Sequence, residues 1–174
     1  MIREARADDA PAIARIHVAS WRTTYRGIVP DNVLANLSVE RREQMWARTL
    51  DNPDGTVFVY VAEDAAEQII GFTASGPERE GDALYTGELY AIYLLAEAQG
   101  RGVGRCLMQQ VASRLATMGH DAMLVWALAE NPACRFYTAL GGAPVREKEI
   151  DMGGASLMEV SYGWADTRAL RRQG

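Results

Sequence analysis

The stretch from Gly87 to Ala116, GELYAIYLLAEAQGRGVGRCLMQQVASRLA, constrains this chain more than any other. Glu88 to Leu95, rich in Leu, Ile and Tyr, predicts a strand. Gln99-Gly100-Arg101-Gly102-Val103-Gly104 predicts a tight loop. A helix follows at once, with Val103, Leu107, Val111 and Leu115 at four-residue spacing. A helix that begins inside a glycine loop aims several unpaired backbone N–H groups at one spot, and its dipole adds partial positive charge there. Such a unit is a ready-made site for a phosphate or pyrophosphate.

The chain around this unit has 174 residues, the size of one domain. The expected division is a single domain over 1–166 and a short polar tail over 167–174. A formal charge of −5 argues against nucleic acid as partner, whose footprint would be basic. The apolar runs are too short for a membrane span, and MIREARADDA lacks the apolar stretch of a signal peptide, so a cytoplasmic protein is expected. Cys106 and Cys134, His17 and His120 show no metal-ligand spacing, and no metal is expected.

Taken in order, Ile2 to Arg6 predicts a short strand. Asp8 or Asp9 then caps a helix that carries Pro11 in its first turn and runs to about Tyr25. A second helix starts near Ser38 and stops at Asn52-Pro53-Asp54-Gly55. Thr56–Glu63 and Ile69–Ser75 predict a hairpin, with a loop over Gly76–Gly81. After the long helix, Gly119 suits a left-handed turn. Ala122–Ala127 predicts a buried strand, and Asn131-Pro132 opens a helix holding Phe136, Tyr137 and Leu140. Val145–Ile150 and Ser156–Trp164 predict a final antiparallel pair around Gly153-Gly154. The order β-α-α-β-β-β-α-β-α-β-β implies a mixed α/β domain, with a mostly antiparallel sheet covered by helices on both faces.

A strand, glycines and a helix also open a dinucleotide-binding Rossmann unit. Here the unit falls mid-chain, and position 105 is Arg, so G-x-G-x-x-G is not met. The whole pattern resembles the GNAT superfamily of N-acetyltransferases instead. Gln99-Gly100-x-Gly102-x-Gly104, five residues after Leu94, is similar to its acetyl-CoA loop. Asn131-Pro132-Ala133-Cys134-Arg135-Phe136-Tyr137-x-x-Leu140-Gly141 resembles the family's Asn…Phe-Tyr…Leu-Gly helix. Trp21-Arg22-x-x-Tyr25-Arg26-Gly27-Ile28-Val29-Pro30 looks like a bacterial branch of it.

The resemblance implies acetyl-CoA as co-substrate and a primary amine of a small molecule as acceptor, with a protein or peptide amine, or a non-catalytic CoA sensor, as alternatives. In the family the strand before the loop is splayed by a bulge. Its freed backbone, here at Ile92, Tyr93 and Leu94, pairs with the pantetheine arm. Gln99, Gly100, Arg101, Gly102, Val103, Gly104 and Arg105 would hold the pyrophosphate, and Asn131 would contact CoA or cap its helix. Tyr137 is the implied acid toward the CoA sulfur, or else a core tyrosine beside Phe136. Glu88 is the implied base, or else a solvated strand end. Partial burial of that carboxylate would raise its pKa toward that of a useful base, and water serves as base in many relatives. Trp21, Arg22, Tyr25, Arg26 and Tyr90 would wall the acceptor, with the arginines suited to a carboxylate-bearing amine; Trp21 and Tyr25 could equally be core. Trp126, Tyr162 and Trp164 read as core or interface residues. A homodimer, common in the superfamily, is expected.

Overall fold

The computed structural model describes residues 1–51 and 55–171. The turn expected at Asn52-Pro53-Asp54 and the end of the tail, 172–174, lie outside the described residues. Seven strands form one sheet: β1 (Ile2–Glu4), β2 (Phe58–Glu63), β3 (Ile69–Pro77), β4 (Gly87–Leu94), β5 (Met123–Leu128), β6 (Ala143–Met152) and β7 (Ala155–Trp164). Their order is β1-β2-β3-β4-β5-β7-β6, and β4 with β5 is the one parallel pair.

Helices α1 (Ala10–Thr24) and α3 (Val39–Leu50) cover one face. Ile13, Ile16 and Trp46 pack there on Val59, Val61, Phe72 and Ala74. Helices α4 (Val103–Thr117) and α5 (Ala133–Ala139) cover the other. Met108, Val111 and Leu115 meet Leu89, Met123 and Val125, and Tyr137 and Trp164 join them. The apolar residues at each strand's alternate positions thus feed two cores separated by the sheet. The expected mixed α/β class, with a mostly antiparallel sheet and helices on both faces, is what the chain adopts.

Two short helices escape the periodic pattern, α2 (Asp31–Ala35) and α6 (Arg168–Arg171). Neither spans two turns, so neither leaves a readable repeat. Thr167 and Leu170 pack against the domain: Leu170 lies in the core beneath α4, and the Thr167 amide donates to Asp121 O at 2.8 Å. At the other end, Asp9 does not cap α1 by its side chain. Its carboxylate accepts from the Arg6 amide at 2.7 Å and pairs with Arg3, which also reaches Glu63. Arg3 pulls Asp9 below the usual carboxylate range. Ser38 does cap α3, accepting from the Arg41 amide at 3.1 Å. Among the described residues no helix is long and apolar enough to cross a membrane.

Candidate acyl-transfer site

The site starts from a fault in the sheet. Ala91 pairs with Ala74 and Leu89 with Ser75, which leaves Tyr90 as an extra residue in β4. Such a bulge bends its strand. Accordingly β4 pairs with β5 only from Gly87 to Leu89. From Tyr90 to Leu94 the two strands part, and β5 pairs onward with β7 alone. The edge of β4 that faces β5 is therefore open over Ile92, Tyr93 and Leu94. The Leu94 carbonyl accepts from Ser20 Oγ and from Gln99 Nε2, each at 3.3 Å, which ties α1 and the glycine loop to the strand end.

The loop completes the cradle. Gly100 and Gly102 have φ of 71° and 83°, left-handed values that favour glycine, and a Cβ on either would meet no protein atom within 4 Å. Gly102 is the residue before α4. The first bond of that helix runs from the Cys106 amide to Gly102 O, so the amides of Val103, Gly104 and Arg105 precede the ladder. Gly104 has a different reason to lack a side chain: a Cβ there would lie 3.1 Å from the Phe136 ring of α5. Arg101 and Arg105 are exposed.

A cavity of about 650 Å³ occupies the gap between β4 and β5. Gln99, Gly100, Gly102, Gly104 and Arg105 border its anion end, and Ile92, Tyr93 and Leu94 its long wall. Tyr25, Tyr90, Asn131 and Tyr137 also border it, whereas Trp21, Arg22, Arg26, Glu88, Arg101 and Val103 do not.

Tyr137 packs in the core and also reaches the cavity. Its ring packs 5.6 Å from that of Phe136 and is nearly buried, yet it borders the cavity. Among the described residues its hydroxyl has no hydrogen-bond partner. Burial pushes the phenol well above its ordinary value, so it stays protonated at neutral pH. Asn131 Oδ1 accepts from the Ala133 amide at 2.9 Å, at the start of α5, while Nδ2 donates to the Tyr25 hydroxyl at 3.0 Å.

Glu88 is 1% exposed, which removes the solvated strand end as a reading. Arg79 holds its carboxylate: Nη2 donates to Oε1 at 2.5 Å, and Nε and the backbone amide to Oε2 at 3.1 and 3.2 Å. The same guanidinium lies 4.3 Å over the Tyr90 ring, whose hydroxyl donates to Pro77 O. Burial pushes the Tyr90 phenol up to about 12.

The expected acceptor wall separates into parts. The Trp21 and Tyr25 rings meet at a tilt, 4.6 Å between centroids, and the Trp21 indole donates to the Tyr93 hydroxyl at 2.9 Å. Arg22 turns away to Leu37 O, and Arg26 is exposed outside the cavity. The cations near the opening come from elsewhere. Arg79 sits on Tyr90, and Lys148 and Arg146 lie 3.9 and 5.7 Å over the Trp126 ring, which borders the cavity instead of joining the core. Each already has a carboxylate partner: Glu88 for Arg79, Asp82 for Arg146, and Glu80 and Glu159 for Lys148. No local pattern exposed these residues, because β6 and the loop after β3 reach Trp126 only through the sheet. Tyr162 is half-buried and packs against the α4-side core, where Trp164 is buried.

The open edge of β4 and the glycine loop before α4 meet at one cavity, in a seven-stranded mixed α/β domain. The likenesses to known proteins agree. A family model described as FR47-like protein matches residues 82–150. An uncharacterized N-acetyltransferase of Bacillus subtilis, YuaI, is 40% identical over 171 residues, covering 98% of this chain and 95% of that protein. A mycothiol acetyltransferase of Rhodococcus jostii is 30% identical over 77% of this chain, which spans 42% of that longer protein. Among solved structures, the acetyltransferase yncA of Salmonella typhimurium, determined with acetyl-CoA, superposes with a TM-score of 0.72 at 22% identity, covering 94% of this chain and 92% of its own. The chain belongs to the GNAT superfamily of N-acetyltransferases.

Proposed function

We propose that the protein moves the acetyl group of acetyl-CoA to a primary amine of a small molecule, by direct attack of the amine on the thioester. The observation that carries this reading is the wedge between β4 and β5, which joins the Gly100–Arg105 cradle to the Tyr137 hydroxyl in one cavity. The amides of Gly100 to Arg105 would hold the pyrophosphate, and the β4 edge at Ile92–Leu94 would pair with the pantetheine arm as an added strand. The solved acetyltransferase with acetyl-CoA supports this placement through its shared fold.

In the reaction the amine nitrogen forms the new C–N bond and the C–S bond breaks. Tyr137 gives its proton to the departing sulfur. The amine's proton leaves to water, or through water to Glu88, which does not itself border the cavity and can take it only when Arg79 loosens its grip. A cavity of about 650 Å³ is of small-molecule size, and one relative carries the name of a small molecule, mycothiol. A cytoplasmic location and a homodimer, with exposed Met158 on β7 at its interface, belong to the same reading; sedimentation velocity tests the dimer.

Thiol release from acetyl-CoA over a panel of amino acids, polyamines, aminoglycosides and peptides tests the function. Turnover with one of the small amines is expected. Turnover with peptides alone, or binding of acetyl-CoA with no turnover on any amine, would refute it.

A further inference from the structure

Past the bulge, the two parts of the sheet are tied by more than strand pairing. β4 meets β5 over Gly87–Leu89, and beyond Leu89 their edges part. On one side of the gap lie β1, β2, β3 and β4, and on the other β5, β7 and β6. The α4 core closes the gap from behind, with Leu89, Met108 and Val125 in one cluster. On the opposite face, the loop 78–86 after β3 reaches across it.

Register decides which side chains meet that loop. Trp126, Ser161 and Arg146 are cross-strand neighbours on β5, β7 and β6, and Leu128, Glu159 and Lys148 form the next row. Cross-strand neighbours share a face, and so do positions two apart on one strand. The register shift between Pro144 and Arg146 turns Arg146 and Lys148 to this side. Glu88 is level with Leu124 and shares the face.

The loop is fixed at both ends. On β4, Arg79 donates from Nη2 to Glu88 Oε1 at 2.5 Å and lies 4.3 Å over the ring of Tyr90, the bulge residue. On β6, Arg146 pairs with Asp82 at 2.7 Å, and Lys148 pairs with Glu80 and, at 3.8 Å, with Glu159. Both of these cations also lie over the Trp126 ring of β5. The Tyr85 ring rests on Gly163 of β7, where a Cβ would be 2.5 Å from it. Between its ends the loop is stiffened from within. Asp82 Oδ1 accepts from the Leu84 and Tyr85 amides, each at 2.8 Å, and Glu78 Oε2 accepts from the Asp82 amide at 2.7 Å.

We propose that the loop 78–86 braces the wedge, with Arg79, Arg146 and Lys148 as positioning residues that hold β4 and β5 at the separation the pantetheine arm needs. This rests on the acetyl-CoA reading of the cavity. A gap already held at its bound width costs less to fill. The ties to β6 are part-exposed ion pairs, so salt weakens them.

Arg146→Met with Lys148→Met keeps two long side chains and removes both charges. Calorimetric titration with CoA and with acetyl-CoA reads the effect. Exposed pairs are worth a few-fold each, so affinity for both should fall about tenfold in the double variant. Glu80→Gln disturbs one exposed pair, folds more safely, and should cost about threefold. Affinity of the unaltered protein should also fall more steeply with salt than that of the double variant, since phosphate contacts are common to both. Without ligand, the amides of Gly87–Leu89 and Met123–Val125 should exchange hydrogen faster in the double variant. A lower Tm with unchanged affinity and salt slope would make these pairs stabilising only and overturn the proposal, and so would unchanged exchange. If neither nucleotide binds the unaltered protein, the acetyl-CoA reading fails, while exchange still decides whether the loop braces the sheet.

Discussion

Gly102→Ala isolates the anion cradle from the rest of the fold. Gly102 precedes α4 with φ of 83°, and a methyl group there would touch no protein atom within 4 Å. No packing is lost, so the cost is the left-handed backbone itself, about 1–2 kcal/mol for a residue with a Cβ. For a domain of this length each kcal/mol moves Tm by about 2–4 °C. The variant should therefore melt about 2–8 °C lower without ligand. The second effect is on binding. Alanine favours a turn that re-aims the amides of Val103, Gly104 and Arg105, and the methyl points into the open space of the cradle. Acetyl-CoA affinity should fall by a further tenfold or so, the worth of about one good hydrogen bond to a charged group. Thermal melts with and without acetyl-CoA, followed by calorimetric titration, measure both. Unchanged affinity with the expected loss in Tm would show that the loop does not hold the pyrophosphate. An unchanged Tm would show that the strain argument is wrong.

Other expectations follow from the same geometry. Tyr137→Phe should lower kcat by about a hundredfold with little change in acetyl-CoA affinity; equal losses in kcat and affinity would deny Tyr137 its role as acid. Glu88→Gln and Arg79→Ala separate base from scaffold. If Glu88 is the base, the first lowers kcat and the second shifts its pH profile; if water serves, Glu88→Gln keeps kcat and changes only stability, read by melting. His17 is held at about 3 by burial and then by Arg42, below its ordinary value. The unfolded chain then binds the proton first, so stability should fall as pH drops from about 6.5 toward 3, at up to about 1.4 kcal/mol per pH unit. Asp9, held low by Arg3, acts in the same direction at the acid end. Urea melts of the protein and of His17→Gln across that range should differ in slope; parallel curves would remove His17 as the cause. Gly76→Ala would place a Cβ 2.6 Å from the Tyr90 hydroxyl and 2.7 Å from Thr56 O, so it should loosen the bulge and weaken acetyl-CoA as well as stability. A loss of stability alone would show that the bulge holds its shape without that contact.

How far the sequence reaches differs between the two sides of the cavity. The donor side is built from neighbours in the chain. Strand, glycine loop and helix are consecutive, and their periodicity, breakers and left-handed glycines are all local properties of Gly87–Ala116. The helix opened by Asn131 is equally local. The acceptor side is assembled from segments far apart. Arg22 and Arg26 adjoin Trp21 and Tyr25 in sequence, but Arg22 turns to Leu37 O, and Arg26, past the end of α1, is exposed and does not border the cavity. Lys148 reaches Trp126 only because β5, β7 and β6 are laid side by side, and register is a property of the sheet.

The same division holds for individual groups. That a carboxylate stands at position 88 on a central strand follows from sequence. That Arg79 clasps it follows only from the path of the loop after β3, since the two stand nine positions apart in the chain. Tyr25, Tyr93 and Asn131 each carry a hydrogen-bonding group, which the sequence states outright. Which donor meets which acceptor is decided by elements converging on one wall, because a hydrogen bond acquires direction only when both partners are in place. Short-range patterns in the sequence carried the strand, the glycine loop, the helix and the family likeness. Tertiary structure decided the wedge and the partner of Glu88, through contacts between residues that no local period connects.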